Sequence, residues 1–378
     1  MRRTPAAAVA AVVLVAALAA CTGGPQARPG EEPTGTSPSG SVQATPYTSP
    51  SAVPGPTTVA QRLDVPWGID FLPDGSALVT LRDRAEVLRV PPDGSAGPVS
   101  LGTVPGVHPD GEGGLLGIAV SPHFRNDHRV FVYLTAQSDN RVLRMTLRGG
   151  RLQPDEVVLD GIPKSAIHNG GRIRFGPDGY LYVGTGDGGD GSHSQDRDSL
   201  GGKILRIDQD GEAPEGNPFG DSPVWTYGHR NVQGLAWDPA GRMYASEFGQ
   251  NTWDELNRIV KGHNYGWPVV EGRSDRSEFT NPLVQWHTDE ASPSGIAIGS
   301  DDVVWMAALR GQSLWRIPLH DGRAGETRRL LEGTFGRLRA VRHAPDDRLW
   351  VLTSNTFRGD PGPDDDRILV YPPSGPTS

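Results

Sequence analysis

Cysteine is almost absent: there is one in 378 residues. A single thiol excludes a disulfide framework and any multi-cysteine zinc or iron–sulfur centre. Aromatic residues are few, at 7%. Positive charge is in the minority, with 36 Lys and Arg against 45 Asp and Glu and a net charge of −9. A phosphate backbone needs a basic face, so nucleic acid is excluded as a default partner. Long apolar runs are also missing. The longest, Ala6 to Ala20, is shorter than the ~20 residues of a spanning helix. What the chain does have is 50 Gly and 34 Pro. Both residues break helix interiors, which excludes a long-helix bundle or coiled coil and leaves a turn-rich, all-β protein.

The first residues read as an address. Arg2-Arg3 and the apolar run behind them form the basic and hydrophobic regions of a secretory signal peptide over residues 1–20. Leu18-Ala-Ala-Cys21 has the form of a bacterial lipobox, which makes Cys21 a candidate for lipidation. Residues 22–58 are dominated by Pro, Gly, Ser and Thr. They cannot bury enough apolar surface to offset their ordering entropy, and so read as a disordered tether. The expected location is extracytoplasmic, anchored to the bacterial membrane by lipid alone, with a folded domain over 59–373.

From Trp67 onward one pattern recurs six times: an apolar strand, a Pro/Asp/Gly turn, a second apolar strand and a third with a basic residue. Examples are Trp67-Gly-Ile-Asp-Phe-Leu-Pro-Asp-Gly75, Arg172-Ile-Arg-Phe-Gly-Pro-Asp-Gly179 and Gly234-Leu-Ala-Trp-Asp-Pro-Ala-Gly241. Alternating apolar residues indicate strands and Pro-Asp-Gly supplies hairpin turns. A period of roughly 45–60 residues predicts a six-bladed β-propeller. Val59 to Leu63 are expected to close the ring by pairing with the last blade.

In a propeller the blades are scaffold, and chemistry sits in loops at one channel mouth. His168-Asn-Gly-Gly-Arg172 sets a His, a candidate general base, beside two glycines that permit close approach. A buried, satisfied His is the blander reading of that pentapeptide. Tyr227-Gly-His-Arg-Asn231 offers Arg230 and Asn231 for a carboxylate or ring carbonyl, and Arg337-Leu-Arg339 offers two same-facing guanidiniums. In an acidic protein this trio of arginines suggests an anionic ligand, although singly each could be a solvated surface charge. Ser246 to Glu255 holds the hard oxygen ligands that Ca²⁺ prefers. Gly186-Asp-Gly-Gly-Asp-Gly191 lacks EF-hand spacing and reads as a flexible loop. Gly184-Thr-Gly-Asp-Gly188 is not expected to lead a strand into a helix, so no dinucleotide fingerprint is supported. The serine-hydrolase elbow and the zincin helix motif are both missing.

Taken together, these segments resemble the glucose/sorbosone dehydrogenase family, the soluble PQQ-dependent aldose dehydrogenases. The resemblance rests on Glu112-Gly-Gly-Leu-Leu-Gly117, His168 to Arg172, Gly202-Lys-Ile-Leu-Arg206, Tyr227 to Asn231, Asp254-Glu-Leu-Asn257, Asn264-Tyr-Gly-Trp-Pro268 and Arg337 to Arg339, in family order. It implies a six-bladed propeller that oxidises aldoses at C1 to lactones, with His168 taking the C1 hydroxyl proton and hydride passing to PQQ. It implies that Glu112, Arg230, Asn231, Arg310, Arg337 and Arg339 hold PQQ. It further implies that the Gly249 and Gln250 carbonyls bind a Ca²⁺ at the quinone, and that Glu255 and Tyr265 bind a second, structural Ca²⁺. The partners implied are an aldose and an electron acceptor that the sequence does not specify. Compact fifth and sixth blades imply a monomer.

Three places depart from the better-known members. Ile167 replaces an acid that precedes the base, Glu112 stands where an amide is usual, and Phe248-Gly-Gln250 replaces an ending in Gly-Pro. Ile167 and Glu112 motivate one alternative, a catalytically silent cell-surface propeller that binds glycans or proteins. A Ca²⁺-dependent propeller lactonase, which shares the architecture, is another, and the arginine trio argues against it.

Overall fold

The structure is a computed structural model and describes residues 55–376. The predicted signal peptide, Cys21 and the predicted tether up to residue 54 lie outside the described residues.

Each of the six predicted repeats is one antiparallel sheet, and the six sheets are the blades of a β-propeller. Among the described residues, helix is confined to the single turns Phe124–Asp127 and Ser192–Gln195. The innermost strands, in chain order, are Pro66–Phe71, Leu115–Val120, Ile173–Phe175, Val232–Trp237, Pro293–Ile298 and Leu338–His343. The second and third strands of each blade carry the rest of the repeat, for example Leu181–Gly184 and Lys203–Ile207 in blade three. Each blade also has a fourth, outer element that the repeat pattern did not announce, such as Val99–Thr103 and Arg151–Ile162. Those two strands are half exposed and polar, so they lack the apolar alternation that marks the inner three.

The ring closes as expected, by strand exchange between the termini. Thr57–Ala60 pairs antiparallel with Ile368–Tyr371, completing blade six. The strand begins two residues before the predicted boundary at 59 and is shorter than the predicted 59–63.

Blades are held to each other by apolar layers. Between blades six and one, Phe71 meets Trp350 edge-on at 5.3 Å, among Ile69, Val79 and Leu352. Around the channel the backbones come closer still. A side chain at Gly117 would strike the Gly171 carbonyl of the next blade. The Pro-Asp-Gly turns join first to second strands at one end of the channel, and Gly75 and Gly179 take φ of 83° and 80° there. The opposite end therefore receives the loops between second and third strands and the crossings from blade to blade.

Candidate active site

At that opposite end the loops surround a cavity of about 240 Å³. Its wall includes Trp67, Glu112, Gln233, Arg310, Arg337, Arg339, Phe357 and Arg358. Four arginines thus face one glutamate. Burial, and then the guanidiniums of Arg337, Arg82 and Arg172, depress the Arg339 pKa from its usual range. The Nε atoms of Arg337 and Arg339 are buried without a partner among the described residues. Arg339 does spend Nη1 on Gln233 Oε1 at 3.1 Å. Guanidiniums do not give up their proton in proteins. Buried and partly unpaired, they make this wall a receptor for negative charge.

His168 sits beside this cavity on the crossing from blade two to blade three and is 9% exposed. Its φ is +56°, a conformation that non-glycine residues rarely adopt and that functional sites often hold. The surroundings fix it firmly: its backbone N–H donates to Glu112 Oε2 at 3.1 Å, and its carbonyl accepts from Gly188 N at 3.1 Å. Gly170, at φ 62°, and Gly186 leave no room for a side chain where this loop lies against residues 185–188.

The group that orients His168 comes from that second loop. Asp187, 1% exposed, receives Nδ1 of His168 at 2.8 Å on Oδ1, and Trp267 Nε1 donates to Oδ2 at 2.8 Å. Burial pushes the Asp187 carboxyl up. Hydrogen bonds from His168, Gly189 N–H and Trp267 outweigh it and hold the pKa below the usual carboxylate range. Nδ1–H on Asp187 leaves Nε2 with its lone pair, and Arg230 Nη2 lies 2.6 Å from that atom. This network assigns the tautomer that a general base needs. The flexible-loop expectation for Gly186–Gly191 is therefore wrong at Asp187. The Gly184–Gly188 stretch does leave a strand, but it runs into a loop and the one-turn helix at Ser192, with no dinucleotide-type helix behind it.

The loop is anchored from below by Lys203. This side chain is fully buried and donates to the carbonyls of His193, Ser194 and Gly201 at 2.6, 3.2 and 2.6 Å. Burial pushes its pKa down to about 7, while three acceptors favour the ammonium.

Arg230 links the base to the next blade. Its Nε donates to Gln250 Oε1 at 2.9 Å and its Nη1 to the Phe248 carbonyl at 3.1 Å. Asn231 lies underneath, taking Gly170 N–H on Oδ1 at 2.9 Å, with Nδ2 buried and without a partner among the described residues. The loop carrying Gly249 and Gln250 is folded around two acids. Glu271 Oε1 accepts four successive backbone N–H groups, from Gln250 to Trp253, and Asp254 accepts Gly249 N at 3.0 Å and Ser292 N at 2.7 Å. Burial raises the Asp254 pKa to about 6. Asp254 thus shapes the loop through backbone amides, while no hydrogen-bond donor among the described residues takes the Gly249 or Gln250 carbonyl.

Glu255 and Tyr265 lie away from the cavity. Glu255 faces Glu247 across neighbouring strands, and burial together with Glu247 raises its pKa to about 8. Glu247 itself bonds His229 Nδ1 at 2.6 Å, and the His229 ring stacks on Tyr265 at 4.6 Å. The Glu255 carboxylate takes N–H groups from Asn257 and Gly272 at 2.9 and 2.8 Å and has no ion-pair partner among the described residues. Among the described residues, no three His, Cys, Asp or Glu side chains gather as a metal site. Any Ca²⁺ here would rest largely on carbonyl oxygens.

Of the predicted residues, Glu112, Arg310, Arg337 and Arg339 share the cavity wall. His168, Arg230 and Gln250 form one hydrogen-bonded chain beside it. Sequence reading missed Asp187 and Arg358. Arg358 Nη1 donates to Glu112 Oε1 at 2.7 Å, which offsets the anion that looked misplaced in sequence. The only signal for Asp187 was an acid flanked by glycines, the same composition that suggested flexibility.

The glucose/sorbosone dehydrogenase family model matches residues 63–359. The chain is 31% identical over 331 residues to the aldose sugar dehydrogenase YliI of Escherichia coli, covering 78% of this chain and 88% of that one. It is 33% identical over 257 residues to quinoprotein glucose dehydrogenase B of Acinetobacter calcoaceticus, covering 58% of this chain and 54% of that one. Among solved structures, the PQQ-bound aldose sugar dehydrogenase of Streptomyces coelicolor is 56% identical with a TM-score of 0.81, over 84% of this chain and 97% of that one. The chain belongs to the glucose/sorbosone dehydrogenase family.

Proposed function

We propose that the protein oxidises aldose sugars at C1 to lactones, with PQQ in the arginine-lined cavity and His168 as base. The observation that carries the reading is the Asp187–His168 pair at 2.8 Å opening beside a cavity walled by Arg310, Arg337, Arg339 and Arg358. The cavity fits PQQ in chemistry, because buried guanidinium N–H groups without partners suit a flat tricarboxylate. When bound, PQQ supplies a quinone that accepts the hydride from C1 of the sugar. Arg230 and Asn231 would join the wall in holding it.

His168 Nε2 takes the C1 hydroxyl proton as hydride leaves, and Asp187 stabilises the resulting imidazolium. For this Arg230 Nη2 must swing from Nε2, where it now lies at 2.6 Å. The Gly249 and Gln250 carbonyls, free of other donors, would hold one Ca²⁺, and Glu255 with Tyr265 a second that relieves a buried carboxyl.

The silent-propeller reading rested on Ile167 and Glu112. Asp187 fills the orienting role, and Arg358 balances Glu112. A lactonase would have no use for four arginines around a neutral ring. The N-terminal signal, lipidation of Cys21 and extracytoplasmic anchoring complete the proposal.

The test is reconstitution with PQQ and Ca²⁺, followed by dye reduction across an aldose panel. Turnover that His168→Ala abolishes is expected. No turnover, or full turnover by the variant, overturns the reading.

A further inference from the structure

The six innermost strands run in parallel from the cavity down the channel. Residues at their starts line the cavity, while residues further along them line a second, separate space. That lower space is walled by Asp70, Arg172, Arg174 and Arg342 among apolar residues such as Ile118 and Ile296, and shares no wall residue with the cavity above.

Its charge does not balance. Three arginines face one aspartate, and the aspartate is already committed. Asp70 accepts Arg342 Nη2 at 2.7 Å and Phe71 N at 3.0 Å on Oδ1, and Val120 N at 2.8 Å on Oδ2. Arg172, 9% exposed, gives Nε to the Gln233 carbonyl at 2.8 Å, yet its Nη2 is buried with no partner among the described residues. Nε and Nη1 of Arg342 are in the same state. Arg174 Nη1 reaches only the Leu235 carbonyl, at 3.1 Å. Burial and then Arg342 push the Arg172 pKa down to about 9, but a guanidinium keeps its proton. The excess positive charge must be met by something else, because an uncompensated buried charge is strongly destabilising.

From this we infer that the lower channel is an anion site that takes a chloride-sized monoanion. The part of this partly open space that a water-sized particle can reach is about 20 Å³, room for a small ion. A small monoanion suits such a space better than the flat tricarboxylate proposed for the upper cavity. Water fits but carries no charge, and it accepts two hydrogen bonds where three nitrogens offer more. A halide meets both demands. It would also brace the cavity from beneath, since Arg172 lies over the Trp67 ring at 4.2 Å and bonds Gln233, two residues of the upper wall.

The test uses the whole protein crystallised and soaked in sodium bromide, with anomalous scattering recorded. A bromide peak in contact with both Arg172 and Arg342 is expected. Bromide at surface positions only, or water between the two arginines, overturns the inference. In solution, Tm is measured at constant ionic strength as chloride replaces methanesulfonate, a bulkier and more weakly coordinating anion. Tm should rise along a saturating curve. A Tm indifferent to the exchange contradicts the site. Arg342→Gln should weaken the half-saturating chloride concentration about tenfold or more, with or without PQQ present. An unchanged midpoint in a folded Arg342→Gln protein would likewise overturn it.

Discussion

The two ends of the channel are built from the same strands yet hold different kinds of information. At the lower end, first and second strands are joined by tight turns such as Pro73-Asp-Gly75 and Pro177-Asp-Gly179, whose glycines take φ near 80°. At the upper end, longer loops bring Glu112, His168, Asp187, Arg230 and Arg358 together from separate blades. The lower turns satisfy backbone geometry and pairs within their own blade, such as Asp178 with Arg206 at 3.0 Å, so they can repeat. The upper loops satisfy a site, so each is unique. Mutations at the upper end should therefore change chemistry at modest cost in stability, and mutations at the lower turns the reverse.

The largest effect is expected at the base. His168→Ala should lower sugar turnover by about 10²–10⁴-fold while PQQ affinity stays close to wild type, measured by dye reduction and by titration. Asp187→Asn should follow at about 100-fold, because the imidazole loses its orienting carboxylate. This variant also has a pH signature. The folded Asp187 pKa lies below the ordinary aspartate value of 3.8, so ionised Asp187 contributes stability that is fully present above that value. The stability gap between wild type and Asp187→Asn should be constant at neutral pH and close as pH falls through the depressed pKa. Urea unfolding at a series of pH values reads it directly.

How much of this was open to sequence reading follows the same division. Six blades were legible because the Pro-Asp-Gly turn and the alternating strands repeat, and the closing strand near Val59 was legible because a ring of blades needs one. The outer strands were not, since Val99–Thr103 and Arg151–Ile162 are too exposed to carry an apolar pattern. His168, Arg337 and Arg339 were legible as part of short motifs. Asp187 and Arg358 were not, because they act on residues 19 and 246 positions away from loops whose sequence resembles any flexible loop. Lys203 was quoted within a motif, yet its use as a loop anchor requires its burial to be known.

Smaller effects sharpen the contrast. Glu112→Gln removes an anion from the cavity wall and frees Arg358, so PQQ should bind a few-fold tighter, within the ~1 kcal/mol of a part-exposed ion pair. At the lower end, Gly179→Ala places a side chain at φ 80° and should cost about 1 kcal/mol of stability. Turnover should remain within error of wild type. A Gly179→Ala protein of unchanged stability but impaired turnover would break the division between the two ends.

The central claim is that the upper cavity is a receptor for an anionic quinone cofactor. Calorimetric titration of wild type and Arg339→Ala with PQQ in the presence of Ca²⁺ tests it most directly. The account predicts saturable one-to-one binding, weakened about tenfold to a hundredfold in the variant by loss of charged hydrogen bonds. No binding by wild type, or equal affinity in a folded Arg339→Ala protein, would contradict it.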